Sequence, residues 1–154
     1  FTERVLLQIH QLILQGIDNH HAGKYRNVQV IISGAKHIPP QPYLVAKQME
    51  DFFIWYNENK DQLHSVVLSS ELHERLVTIH PFIDGNGRSS RLLMNLILLQ
   101  HGYTIAILKG DVQSRLQYYE CLEIAQTKNN KQPFIQLITE NVKDTMSRII
   151  KSLN

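Results

Sequence analysis

The chain has 154 residues, 43% of them hydrophobic and 19% charged, which is enough for one globular domain with its own core. A net charge of +2 lacks the basic excess of a nucleic-acid binder, and no apolar run is long enough to span a bilayer. The only cysteine, Cys121, cannot form an internal disulfide and no N-glycosylation sequon is present, so nothing requires an oxidising compartment and a bacterial cytoplasmic setting is expected.

Thr2 and Glu3 precede Val5, Leu6, Ile9, Leu12 and Ile13, an apolar helical face behind a plausible N-cap, and Gly16 ends it. Asp18 to Lys24 reads as a loop. Its adjacent His20 and His21 lack a third ligand at zinc spacing and are expected to be solvated. Val28-Gln29-Val30-Ile31-Ile32-Ser33 is β-branched and weakly alternating, the clearest strand signal. A turn over Ser33–Lys36 and a return at His37-Ile38 make a hairpin that Pro39-Pro40 stops.

Helices are expected from Pro42 to Glu58, with Val45, Met49, Phe52, Phe53 and Tyr56 inward, and from Ser65 to His80, with Leu68, Leu72, Leu76 and Ile79 inward. His73 is not part of a His-Glu-x-x-His zinc motif, because Leu72-His73-Glu74 lacks the second histidine. A helix over 87–101 should bury Leu92, Leu93, Leu96 and Leu99. Asp111 can cap a helix with Leu116, Tyr119, Leu122 and Ala125 on one side. After a polar break at Lys128–Gln132, Pro133 opens a last helix whose stripe runs through Phe134, Leu137, Ile138, Val142, Met146 and Ile149. The fold expected is an all-α bundle with one small hairpin.

The chemistry concentrates in His80-Pro81-Phe82-Ile83-Asp84-Gly85-Asn86-Gly87-Arg88-Ser89-Ser90-Arg91. His80 stands on a loop stiffened by Pro81, and Asp84 follows as a lone carboxylate. Gly85, Asn86 and Gly87 tolerate left-handed backbone, so their N–H groups can converge on an anion at the N-terminus of the helix that follows. Arg88 and Arg91 are three residues apart and share a helix face, with side chains suited to multidentate phosphate contact. A base, a carboxylate able to hold Mg²⁺, a phosphate cradle and two arginines describe phosphoryl or nucleotidyl transfer. In that reading His80 deprotonates a hydroxyl and Asp84 holds Mg²⁺ against the phosphates. Gly85, Asn86 and Gly87 offer N–H groups to the transferred phosphate, and Arg88 and Arg91 hold the β- and γ-phosphates. Phe82 plugs the core beneath the loop.

This stretch resembles the signature of Fic domains, His-Pro-Phe-x-Asp-Gly-Asn-Gly-Arg-x-x-Arg. The resemblance continues through Gly23–Arg26, His37-Ile38-Pro39-Pro40, Gly102-Tyr103, Tyr118-Tyr119 and Pro133-Phe134-Ile135. It implies one Fic domain over 1–154, a Fic-fold helical bundle with a β-hairpin flap, lacking the upstream inhibitory helix of related branches. It also implies transfer of AMP from ATP, with Mg²⁺, onto Ser, Thr or Tyr hydroxyls of a protein, releasing pyrophosphate. The hairpin would be the flap, docking the target by strand addition over Val30, Ile31, Ile32, Ser33, Gly34, Lys36 and His37. A kinase relative, Doc, has lysine where Gly87 stands, so Gly87 favours AMP transfer over phosphate transfer. Tyr118 and Tyr119 match a pair lining the nucleoside pocket, with ordinary helix packing an equal alternative. Gln126 falls where the family has an adenine-contacting asparagine, which leaves base preference open. Glu140 imitates an inhibitory glutamate, but Gln136 replaces the Ser or Thr of that pattern, and it reads as a solvated residue. Transfer of UMP, GMP, phosphocholine or phosphate, or a non-catalytic nucleotide-binding interaction module, are the alternatives. No nucleic-acid or membrane partner is expected, and a homodimer is left open.

Overall fold

The computed structural model describes residues 1–153, and among them the regular structure is entirely helical. Six helices follow one another: α1 (Glu3–Leu14), α2 (Pro42–Asn59), α3 (Ser65–Ile79), α4 (Asn86–Gln100), α5 (Val112–Lys128) and α6 (Gln132–Ser152). Thr2 caps α1 by accepting the Val5 N–H, and Asp111 caps α5 by accepting the Ser114 N–H at 3.0 Å. Proline in the first turn opens α2 and α6, where its missing N–H costs no helical bond.

The middle of the molecule is α3, which packs against α2, α4, α5 and α6, while α1 lies on α4. Leu68, Leu72 and Leu76 are fully buried on the side facing α2 and α4, in a core completed by Met49, Phe82 and Leu93. Val66 and Val77 belong to a second core with Met94, Phe134 and Ile138. A helix buried on both sides has no free polar face, so its polar residues must be satisfied internally. Ser69 and Ser70 accordingly donate to the Val66 carbonyl at 3.0 and 2.7 Å. His73 is core too, with Nε2 at 2.8 Å from the Tyr118 hydroxyl.

Four expected apolar faces are rotated or shortened; in α1 the buried residues are Leu6, His10 and Leu14, while Leu12 is exposed. In α4 the buried residues are Leu93, Met94, Ile97 and Leu98, while Leu92 and Leu99 are exposed and Leu96 is half-buried. With α3 and α1 on different sides of it, α4 presents adjacent pairs of residues inward, and the single stripe through 92, 96 and 99 points away. In α5, Leu116 and Tyr119 are exposed and Tyr118, Cys121, Leu122 and Ala125 are buried. In α6 burial stops at Thr145, so Met146 and Ile149 lie on turns that run beyond the bundle.

The expected hairpin is absent: among the described residues 28–38 form a loop with no strand. The Ala35 N–H bonds the Ile32 carbonyl at 3.1 Å, closing the turn, but no ladder follows. Val28 and Ile31 face solvent, so their β-branched side chains have no neighbouring strand or helix to pack on. Strand preference is largely packing on such neighbours, and Pro39 and Pro40 cannot donate to a ladder.

Candidate active site

His80 ends α3 as its C-cap, in a left-handed conformation (φ 51°, ψ 58°) uncommon for a residue with a side chain. Its N–H still closes the helix onto the Leu76 carbonyl at 2.9 Å, so the turn leaves the helix with the imidazole at its mouth. Nδ1 lies 3.2 Å from the Val77 carbonyl. A carbonyl only accepts, so the ring proton sits on Nδ1 and Nε2 is left as the proton acceptor. Burial holds this imidazole below its ordinary pKa, with a smaller opposing pull from the Val77 bond, and keeps it neutral.

The residues that set this loop come from elsewhere in the chain. Arg26, 3% exposed, donates from Nε to the His80 carbonyl at 2.8 Å. Its two other nitrogens reach the Val28 and Pro40 carbonyls at 2.9 and 2.6 Å, and its own N–H donates to the Pro81 carbonyl at 2.8 Å. His10, from α1, stacks on Phe82 at 3.6 Å with the rings 5° from parallel. The Gly23 N–H donates to its Nδ1 at 2.9 Å, which leaves Nε2 protonated to donate to the Asp84 carbonyl at 2.9 Å. Asn86 clasps the loop from within, accepting the Phe82 N–H at 2.9 Å and donating to the Phe82 carbonyl at 2.8 Å. Gly85 turns with φ 81°, and a Cβ there would stand 3.3 Å from the His10 ring. The positive φ therefore favours glycine, and any Cβ would also crowd the His10 ring.

Asp84 is exposed, and its carboxylate accepts the Gly85 N–H at 2.6 Å and an Arg88 N–H at 2.8 Å. The Gly85 bond first, then Arg88, hold its pKa below the usual carboxylate range. Gly85 and Arg88, both expected to face an anion, are thus partnered by Asp84 in this structure. The N-terminus of α4 otherwise keeps the unpaired N–H groups of its first turn. A Cβ on Gly87 would meet the Arg91 guanidinium at 3.3 Å, so the glycine leaves that arginine its place.

A cavity of about 560 Å³ opens beside the loop, a size that suits a small-molecule ligand. His80, Gly87, Arg91, Tyr118, Tyr119 and Gln126 line it, and the turn of the 28–38 loop (Ile32, Ser33, Gly34, Lys36) forms its opposite wall. Asp84, Gly85, Asn86 and Arg88 stand further along the loop, outside that lining, as do Val30, Ile31 and His37. The His37 ring instead bonds the Thr78 carbonyl at 2.8 Å. Tyr118 is buried, which pushes its hydroxyl pKa up to about 12, whereas Tyr119 is mostly exposed. Residue-by-residue reading missed His10 and Arg26, whose side chains set the loop. His10 carried a signal, since it falls between Leu6 and Leu14 on an apolar helix face.

Fold and site together define a helical domain whose histidine–carboxylate–glycine–arginine loop forms one side of a ligand-sized cavity. The Fic/DOC family model matches residues 1–98, and the chain belongs to that family. It is 39% identical over 146 residues to Protein adenylyltransferase Fic of Drosophila grimshawi, covering 94% of this chain and 29% of that protein. The Drosophila melanogaster protein of the same name is 38% identical over the same share of this chain. Among solved structures, Fic-1 (aa134 - 508) from C. elegans superposes with a TM-score of 0.87 at 29% identity, covering 99% of this chain and 44% of that one. A Fic domain containing signaling protein from Bacteroides thetaiotaomicron gives 0.76 at 26% identity, covering 93% of this chain and 62% of that one. The chain spans less than a third of the length of the Drosophila relatives.

Proposed function

We propose that residues 1–154 form a Fic domain acting as a protein adenylyltransferase that moves AMP from ATP to a Ser, Thr or Tyr hydroxyl. The observation that carries this reading is a neutral His80 with Nε2 free to accept, lining the same cavity as Arg91 and Gly87. The hydroxyl oxygen attacks the α-phosphorus, its proton passes to His80 Nε2, and the bond to the β-phosphate oxygen breaks to release pyrophosphate. Gly87 and the first turn of α4 offer N–H groups to the charge on the transferred phosphate, with Gly85 and Asn86 shaping the turn that aims them. Arg91 holds the leaving phosphates from the cavity wall. Arg88 joins it by exchanging Asp84 for phosphate, which in turn frees a carboxylate oxygen.

That oxygen suits Mg²⁺. Asp84 is ionised and exposed beside an anion site, and magnesium needs few carboxylates when phosphates and water complete its shell. Held by Asp84, the ion would supply positive charge against the phosphates.

The target segment docks on the 28–38 loop. Its backbone carries no ladder, and apart from the Val28, Val30 and Ile32 carbonyls and the Ala35 N–H, which are already bonded, its main-chain groups can pair with an incoming strand beside the exposed Ile31 and Ile38. The test is incubation with Mg²⁺ and ATP labelled at the α- or γ-phosphate, following label on protein. Transfer from α alone establishes adenylylation, whereas transfer from γ makes the domain a kinase and overturns the reading. His80→Ala should cut transfer at least ~100-fold and leave ATP affinity within about twofold. Equal loss of both would remove His80 from the role of base.

A further inference from the structure

Gln126 lines two cavities at once, the one holding His80 and a second of about 330 Å³ on its far side. Its Nε2 is 3.1 Å from the Thr78 hydroxyl, which is 2.8 Å from Glu74 Oε1. Glu74 is buried, and its Oε2 lies 2.8 Å from the Lys131 ammonium.

Counting donors fixes the direction of this chain. Glu74, paired with Lys131, is a carboxylate and can only accept. The Thr78 hydroxyl has one hydrogen, and it is committed to Glu74. Its oxygen can therefore only accept from Gln126, which must turn its NH₂ toward Thr78. A flipped amide would set two oxygens against each other and strand a partly buried polar pair.

We propose that Lys131, Glu74 and Thr78 act in series as positioning residues that hold Gln126 with its carbonyl Oε1 as the acceptor left for the nucleobase. A fixed acceptor pairs with the exocyclic amino group of adenine and opposes the carbonyl that guanine carries at the same ring position. The cavity then selects adenine over guanine through residues that touch no nucleotide. Amide side chains in general have no such preference, because rotation exchanges their donor and acceptor ends. Here the preference is set from behind, by a buried carboxylate. The inference rests on the nucleotide reading above, but it concerns binding and not transfer.

Dissociation constants of ATP and GTP, read by displacement of methylanthraniloyl-ATP from the intact chain, test it without any need for transfer. Wild type is expected to prefer ATP. Thr78→Val, which keeps shape and removes the hydroxyl, should lower the GTP-to-ATP ratio of dissociation constants about tenfold, the worth of one oriented hydrogen bond. Thr78→Ser returns the hydroxyl and should restore the ratio, which separates orientation from a general loss of fold. Glu74→Gln gives Thr78 a donor and lets the amide turn, so it should lower the ratio by a smaller factor. A Thr78→Val ratio equal to that of wild type overturns the assignment, as does a wild type that binds both nucleotides alike. The expected ratios without label transfer would support it and remove the transferase reading alone.

Discussion

The two walls of the cavity are built on opposite plans. On the His80–Arg91 side, main-chain carbonyls are taken by side chains, His80 by Arg26 and Asp84 by His10 from distant elements and Phe82 by Asn86 from within the loop. On the 28–38 side, Ile31 is 84% exposed and Ile38 73% exposed, and regular main-chain pairing is missing. The chemistry-bearing wall is held by buried polar groups with one geometry each. The other is tied at its base and left open along its length. In this molecule, order at the site comes from donated side chains, since neither wall belongs to a sheet and His80 lies past the end of α3. Under the docking proposed above, a surface for segments of varied sequence needs the opposite property, which an unpaired loop has.

Arg26 belongs to both walls, so its removal should have the largest effect. Arg26→Met keeps the length of the side chain and leaves the His80, Val28 and Pro40 carbonyls without their donor. A loss of about 3–5 kcal/mol in urea unfolding is expected, together with loss of the left-handed turn at His80. Arg26→Lys should recover only a part, because one ammonium cannot reach three diverging acceptors. A loss below about 1 kcal/mol would mean that water replaces the guanidinium, and the contrast between a pinned and an open wall would fail.

Acid should loosen the pinned wall next. Burial, reinforced by the positive charge of Arg91, lowers the His73 pKa from 6.5 to about 3. Burial lowers His10 as well. A histidine whose pKa is lower folded than unfolded takes up its proton first in the unfolded chain, so stability is complete above about pH 6.5 and declines as pH falls below it. For His73 the slope is ~1.4 kcal/mol per pH unit, or about 2 kcal/mol between pH 7 and 5, with His10 adding in the same direction. Asp84 opposes nothing in this window, since its lowered pKa leaves it ionised throughout. Urea midpoints at pH 7 and pH 5 measure the decline, and His73→Phe should flatten it. Equal midpoints for wild type at the two pH values would show that the buried imidazoles titrate normally.

Much of the pinned wall was legible in the sequence because its reactive groups are contiguous. His80 to Arg91 carry base, carboxylate, glycine turn and arginines in an order that survives any packing around them. Helices were legible wherever apolar spacing repeated, as in α2, where Val45, Met49, Phe52 and Tyr56 are the buried residues. Which face of α4 or α5 turned inward was not, because leucines occur on more than one side and the neighbours decide. The loop at 28–38 carried a strand signal in Val28–Ile32, but β-branched residues favour a strand only beside another one. What Arg26, His10 and Thr78 bond was hidden for a related reason, although Arg26 falls within the family resemblance and His10 on an apolar helix face. Their partners lie 54, 74 and 48 residues away, and an arginine that takes three carbonyls looks the same in sequence as one in water. Asn86 was read for its backbone, and its side chain proved to close the loop.

The smallest expected effect is at the open wall. Lys36 Nζ meets Glu123 at 2.7 Å, tying the turn to α5 across the cavity mouth, but both side chains are exposed. An exposed pair loses in side-chain freedom and hydration nearly what it gains in attraction, so Lys36→Ala should leave the urea midpoint unchanged. Its effect should be local. The Ala35 N–H, bonded to Ile32 within the turn, is expected to exchange with solvent about twofold faster in the variant. Raising the salt should speed the wild-type amide to the same rate, since it screens the same contact. Hydrogen exchange followed by NMR reads both. A change of tenfold or more would place this turn among the pinned elements, with Lys36 as its anchor. No change, in variant or in salt, would leave the loop held by Arg26 and His37 at its base and free beyond them.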